Sequence, residues 1–219
     1  MRASLFALLF TLAACGPSLP EYKGKLTQAR VSAYIETYAP LYNTGSGPPV
    51  STEGNTLVVN FETDARDAMK AQERLKKLVG ENDFREQLRD AFIAQSTKAL
   101  PFPVAAESKN VDTEIQVRLY VIGLQPGTEP GKPVWMAAVQ TRVIYIPERK
   151  EVWNGRDLVT YTLDGAGPGG AELSKEMFAP KTFLYAPDDK ARAWLASVAT
   201  EAARKAADTF VAALNKPQS

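Results

Sequence analysis

The chain has 219 residues, with 26 basic and 25 acidic side chains, 45% hydrophobic residues, a single Cys and no His. A Ser-His-Asp or Cys-His triad, a Cys or His zinc site, His-ligated haem and an intrachain disulfide therefore cannot be assembled from it. Balanced charge leaves no strong field to draw in nucleic acid. No S-x-x-K, H-E-x-x-H or Walker A pattern occurs, so no cofactor is expected and the chain reads as a non-enzyme.

Met1-Arg2 supplies a positive charge, Ala3 to Leu12 is an almost unbroken apolar run, and Leu12-Ala13-Ala14-Cys15 closes it with small residues. This is the layout of a secretory signal, and the run is too short for a spanning helix, which needs about 20 residues. The Leu-Ala-Ala-Cys tetrapeptide resembles a bacterial lipobox. The resemblance implies that residues 1–14 are removed and that Cys15 becomes a diacylated N-terminus anchored in the membrane. Gly16, with no Asp at that position, implies by the same resemblance the outer membrane, facing the periplasm. Loss of Arg2 with the signal equalises the basic and acidic counts.

Residues 15–30, with two prolines and scattered charge, read as lipidated Cys plus flexible tether, leaving 31–219 as a single domain. Val31, Ala33 and Ile35 alternate with Ser32, Tyr34 and Glu36, suggesting a strand over Val31–Tyr38. Tyr42–Pro49 reads as loop. Leu57-Val-Val-Asn-Phe61 predicts a strand with Leu57, Val59 and Phe61 on one face. Asp64 is placed to cap a charged helix over Ala65–Val79, whose stripe of Ala68, Ala71, Leu75 and Leu78 is thin; Gly80 ends it. Its charges (Lys70, Glu73, Arg74, Lys76 and Lys77) read as a solvated face. A second helix runs from Asp83 to about Leu100, with Phe84, Leu88, Ala91, Phe92 and Gln95 on one side.

Three strands follow: Thr113–Val121, Val134–Ile146 and Val152–Leu163. Ile115, Val117, Leu119 and Val121 oppose Glu114, Gln116, Arg118 and Tyr120, the pattern of a sheet covered on one face. Short connections require antiparallel pairing among them. Trp135 and Trp153 fall near opposite ends of the hairpin and read as packing residues. The last helix starts at Asp188 or Asp189 as cap and runs to about Asn215, with Trp194, Val198, Ala202, Ala206, Phe210 and Leu214 as an i, i+4 ladder flanked by Leu195, Ala199 and Val211. The expected fold is α+β: a two-layer sandwich, an antiparallel sheet of four to five strands with helices on one face.

Three further features bear on function. Gly165-Ala-Gly167-Pro-Gly-Gly170 matches G-x-G-x-x-G. Its preceding strands form a hairpin, not the parallel unit of a dinucleotide fold, and Pro180 is read as cutting any helix short. Met177, Phe178, Phe183, Leu184 and Tyr185 cluster between prolines without helical or strand period; they are the candidate partner-binding patch, with folding back beneath the last helix as the alternative. Glu172 and Glu176 stand at i, i+4 spacing, but nothing places them in a pocket.

The order of elements behind the tetrapeptide resembles a loose group of bacterial envelope lipoproteins: the LptE type, the PqiC-type auxiliaries of ABC transport, and the LpoB, CsgG and TolB-N-like domains. The matching stretches are Leu57–Phe61, Phe84-Arg-Glu-Gln-Leu-Arg-Asp-Ala-Phe92, Asn110-Val-Asp-Thr-Glu-Ile115 and Glu151-Val-Trp-Asn-Gly155. The resemblance spans about Thr56 to Leu214 and implies a non-catalytic accessory role with an envelope protein partner. The rival expectation is a small-ligand carrier, binding a lipid or glycan between helices and sheet in a sizeable apolar cavity.

Overall fold

The computed structural model describes residues 19–36, 41–43, 50–53, 56–60, 65–80, 82–107, 110–126, 133–162 and 180–217. The chain begins with a one-turn helix α1 (Leu19–Tyr22), followed by strand β1 (Ala29–Ile35), three short strands β2 (Leu41–Asn43), β3 (Val50–Glu53) and β4 (Thr56–Asn60), and helices α2 (Ala65–Val79) and α3 (Asn82–Ser96). A two-residue strand β5 (Val104–Ala105) leads into the long strands β6 (Thr113–Pro126), β7 (Pro133–Tyr145) and β8 (Lys150–Thr162). Helices α4 (Pro180–Tyr185) and α5 (Asp188–Leu214) complete the order.

The main sheet has the order β5-β1-β6-β7-β8. β6, β7 and β8 are antiparallel, as their short connections demand. β1 differs from the all-antiparallel expectation: it runs parallel to both β6 and β5, so the sheet is mixed. The reason is the crossover. Two helices separate β1 from β6, and such a connection is long enough to return the chain to the same end of the sheet. Of the face expected on β1, Val31 and Ala33 are buried and Ile35 is partly buried, and Ala29 extends that face toward the start of the strand. β4, the apolar strand at residues 56–60, joins β2 and β3 in a separate three-stranded sheet.

On β6, Ile115, Val117 and Leu119 are wholly buried. A bulge between Leu119 and Val121 then inserts one residue, so Ile122 replaces Val121 on the core face. The core face of β8 shows why its sequence includes a glycine. A Cβ on Gly155 would come within 2.3 Å of the Trp153 ring, which lies over this position two residues along the strand face. With that space left free, the Trp153 ring centroid sits 5.5 Å from that of Phe210 on α5.

Helix α5 carries most of the helical layer. Every member of its expected ladder is buried, and Ala191, Leu195, Ala199, Ala203 and Ala207 join it. The alanines make this helix a strong helix former and let it lie close to the sheet. α3 packs beside it, with Phe92 stacked at 6.3 Å from Phe210. At its N-terminus the cap residue is Pro187, which makes no side-chain bond; Asp188 and Asp189 lie in the first turn rather than at the cap.

The reading of residues 15–30 as a tether requires correction. From Leu19 onward the chain belongs to the domain: Leu19, Tyr22, Leu26 and Ala29 are all buried in the main core. The Tyr22 ring packs edge-on against Tyr145 at 5.4 Å, and its hydroxyl donates to the Glu148 carboxylate at 2.7 Å. Asp112 ties this segment to the start of β6. Its carboxylate accepts the Thr27 backbone N–H at 2.9 Å, the Thr27 hydroxyl, and the Thr113 hydroxyl at 2.6 Å. Partial burial works to raise the Asp112 pKa, but these hydrogen bonds outweigh it and hold the carboxyl below its ordinary value.

Candidate functional site

The five residues expected to form a docking patch part company. Met177 and Phe178 lie outside the described residues, as do Cys15, the Gly165–Gly170 stretch and the Glu172–Glu176 pair. Phe183 is buried, Leu184 is partly buried against the core, and Tyr185 projects into solvent with 68% of its surface exposed. The three sit on α4, a helix where loop was expected. Pro180 does not break this helix; it begins it. Proline is suited to the first helical position, where its missing N–H has no intrahelical partner to lose.

What fixes α4 is a residue read from sequence as part of a solvated face. The Arg74 side chain, only 13% exposed, reaches from α2 to the C-terminal end of α4. Its guanidinium donates to the backbone carbonyls of Phe183, Leu184 (2.6 Å) and Ala186, and to the Asp188 carboxylate at 2.6 Å. These carbonyls end a helix and have no intrahelical donors, so a fixed cationic fork satisfies several at once. The same guanidinium lies over the Phe183 ring, 5.5 Å from its centroid.

Beneath α4 is an aromatic cluster. The Trp135 ring lies 5.4 Å from Phe183 and 6.2 Å from Trp194, and Tyr161 lies 6.0 Å from Trp194, all edge-to-face. Burial, with a smaller push from the Glu201 carboxylate, raises the Tyr161 hydroxyl well above its ordinary pKa. That hydroxyl stays protonated near neutrality. Among the described residues, no group of three or more His, Cys, Asp or Glu side chains is placed to hold a metal ion. Arg74 and the aromatic cluster together pin α4 against the core, with Tyr185 on its exposed side.

A groove of about 140 Å³ lies between α2, α3 and α5, lined in part by Phe84, Asp83, Gln87 and Arg192. It is smaller than the roughly 300–1,000 Å³ of ordinary small-molecule sites. Among the described residues, no helix is long and apolar enough to cross a membrane.

No protein-family model matches the chain, and no curated protein does. Among solved structures it is similar to XCC0632 of Xanthomonas campestris, described as DUF330, at TM-score 0.43 and 6% identity over 86% of this chain and 85% of that one. It is similar to the PelC dodecamer of Paraburkholderia phytofirmans at TM-score 0.37 and 13% identity, over 88% and 90%. A third is lipoprotein GNA1162 of Neisseria meningitidis, at TM-score 0.29 and 10% identity over 65% and 88%. With every TM-score below 0.5, these likenesses assign neither family nor function.

Proposed function

We propose that this chain is a non-catalytic envelope lipoprotein, diacylated at Cys15 and tethered to the outer membrane on its periplasmic side, acting as an accessory subunit of an outer-membrane assembly or transport complex. The observation that carries the reading is Leu12-Ala-Ala-Cys15 closing a short apolar run ahead of a domain whose core already includes Leu19. Acyl chains localise the domain, and the domain presents a binding surface. Phe183 and Leu184 anchor that surface from below, and Tyr185, together with Met177 and Phe178 just upstream in sequence, belongs to the part offered to an envelope protein partner.

Fractionation of cells on a density gradient tests the first half. The wild-type chain is expected in the outer-membrane fraction and a Cys15→Ser variant outside it; identical distribution of the two contradicts the reading. Photo-crosslinking from a benzophenone amino acid at position 185 tests the second half. A discrete adduct with an envelope protein, lost when the probe moves to exposed Asp208 on α5, supports the surface. Equal labelling from both positions removes it.

A further inference from the structure

The correction to residues 15–30 shortens the tether severely. Between Cys15 and Leu19, whose side chain is in the core, stand only Gly16, Pro17 and Ser18. Four residue steps span at most about 14 Å even when fully extended. A domain whose longest helix, α5, has 27 residues is about 40 Å long in that direction. The domain is longer than the leash that holds it. On the proposed acylation of Cys15, one end of the molecule is thereby confined to the immediate neighbourhood of the headgroups.

That end can be identified. The Lys23 ammonium donates to the Asn215 side chain at 2.6 Å, so α1 lies at the C-terminus of α5. Lys25 reaches Glu148 at 3.1 Å, placing α1 also at the turn between β7 and β8. Lys23, Lys25, Arg149, Lys150 and Lys216 are all exposed here, against the carboxylates Glu21, Glu148 (paired with Lys25), Glu151 (paired with Arg142) and the partly buried Asp112, which leaves the bases in modest excess. Arg149 holds a positive φ of 49° at this turn, a conformation that costs Gly or Asn less. The chain as a whole is nearly neutral, so this excess of base is local. Lys23 is one helical turn from Leu19, about 6 Å along the axis. This brings the basic end within reach of an anionic headgroup layer, whose field persists for about 10 Å at 0.1 M salt.

We infer that the α1 end of the domain rests directly on anionic phospholipid headgroups through these five bases, with α5 directed away from the bilayer and α4 carried to its far side. The inference rests on acylation of Cys15. Short covalent reach holds the end near the surface, and the bases fix which way the domain stands. Tyr185 is then presented tens of ångströms from the membrane, facing outward.

The test uses the full chain, processed and lipidated in cells, reconstituted into vesicles of phosphatidylcholine with or without phosphatidylglycerol. Nitroxide labels are placed by Ala212→Cys and Asp189→Cys, two exposed positions about 35 Å apart on α5. A Ni(II)-chelating lipid broadens labels near the headgroups, and the chain has no His to bind that nickel directly. Broadening is expected at 212 and not at 189 in anionic vesicles. The difference should shrink in pure phosphatidylcholine and in the Lys23→Glu, Arg149→Glu, Lys216→Glu variant. Equal broadening at both positions overturns the inference, as does a difference indifferent to vesicle charge and to the triple reversal. The chain's mass is read first: a lipid-free thiol at position 15 removes the anchor itself, whereas lipidated protein without orientation overturns this inference alone.

Discussion

Arg74→Ala is the most informative single substitution, because it separates the anchoring of α4 from the rest of the fold. The guanidinium is nearly buried and serves three backbone carbonyls and one carboxylate. A hydrogen bond to a charged group contributes about 1.5–3 kcal/mol net, and one side chain serving several acceptors does not count each in full. The Asp188 carboxylate is 64% exposed, so its ion pair adds less than about 1 kcal/mol. Contact with the Phe183 ring adds about 0.5–1 kcal/mol. The expected loss is about 3 kcal/mol, or a fall in Tm of about 6–12 °C for a domain of this size. The loss should be local first. Hydrogen exchange should speed up over residues 180–187, and Trp135 fluorescence should shift to the red as Phe183 loosens from it. Arg74→Lys should recover less than half the loss, since a point-like ammonium cannot span the four acceptors. Asp188→Asn should cost under about 1 kcal/mol. An Arg74→Ala variant with wild-type Tm and a protected α4 would refute the clamp, as would Asp188→Asn proving equally costly.

Three other outcomes follow from the packing. Gly155→Ala drives a methyl into the Trp153 ring, where the contact would be 2.3 Å, and should cost about 1–3 kcal/mol in urea unfolding; a neutral result would mean the ring moves freely. Phe210→Ala opens a void between Phe92 and Trp153 and should cost about 3–5 kcal/mol, which chemical denaturation reads directly. Asp112 carries a pH signature. Its folded pKa lies below the unfolded one, so its contribution is fully present above about pH 4 and is lost as pH falls through the lowered folded value. Asp112→Asn should lower stability by about 1–2 kcal/mol at pH 7 and leave a flatter stability profile as pH falls below about 4; parallel profiles for the two proteins would contradict this.

Local periodicity made several elements legible. The i, i+4 ladder of α5 and the alternation of β6 need only their own residues; the ladder is buried throughout and the alternation as far as Leu119, beyond which a bulge that the pattern does not encode puts Ile122 in place of Val121. Long-range pairing was not legible. The parallel partnership of β1 with β6 depends on a crossover of more than 70 residues, which a strand's own pattern does not encode. Arg74 reads like its neighbours because its partners lie more than 100 positions away. α1 was missed for a different reason. Leu19, Tyr22, Leu26 and Ala29 do follow helical intervals, but Pro20 and Gly24 among them suggest a linker. Pro180 was open to two readings, breaker or first helical residue, and its position at the start of Lys-Thr-Phe-Leu-Tyr was the available clue. As for the docking patch, only an apolar cluster was visible; which of Phe183, Leu184 and Tyr185 faces inward depends on where α2 places Arg74.

Intact mass of the chain extracted from purified membranes tests the anchoring most directly. A product starting at Cys15 and heavier than the bare polypeptide by its acyl groups is the result required. A chain still carrying Met1–Ala14, or one beginning at residue 15 with an unmodified sulfhydryl and recovered in the soluble fraction, would contradict it.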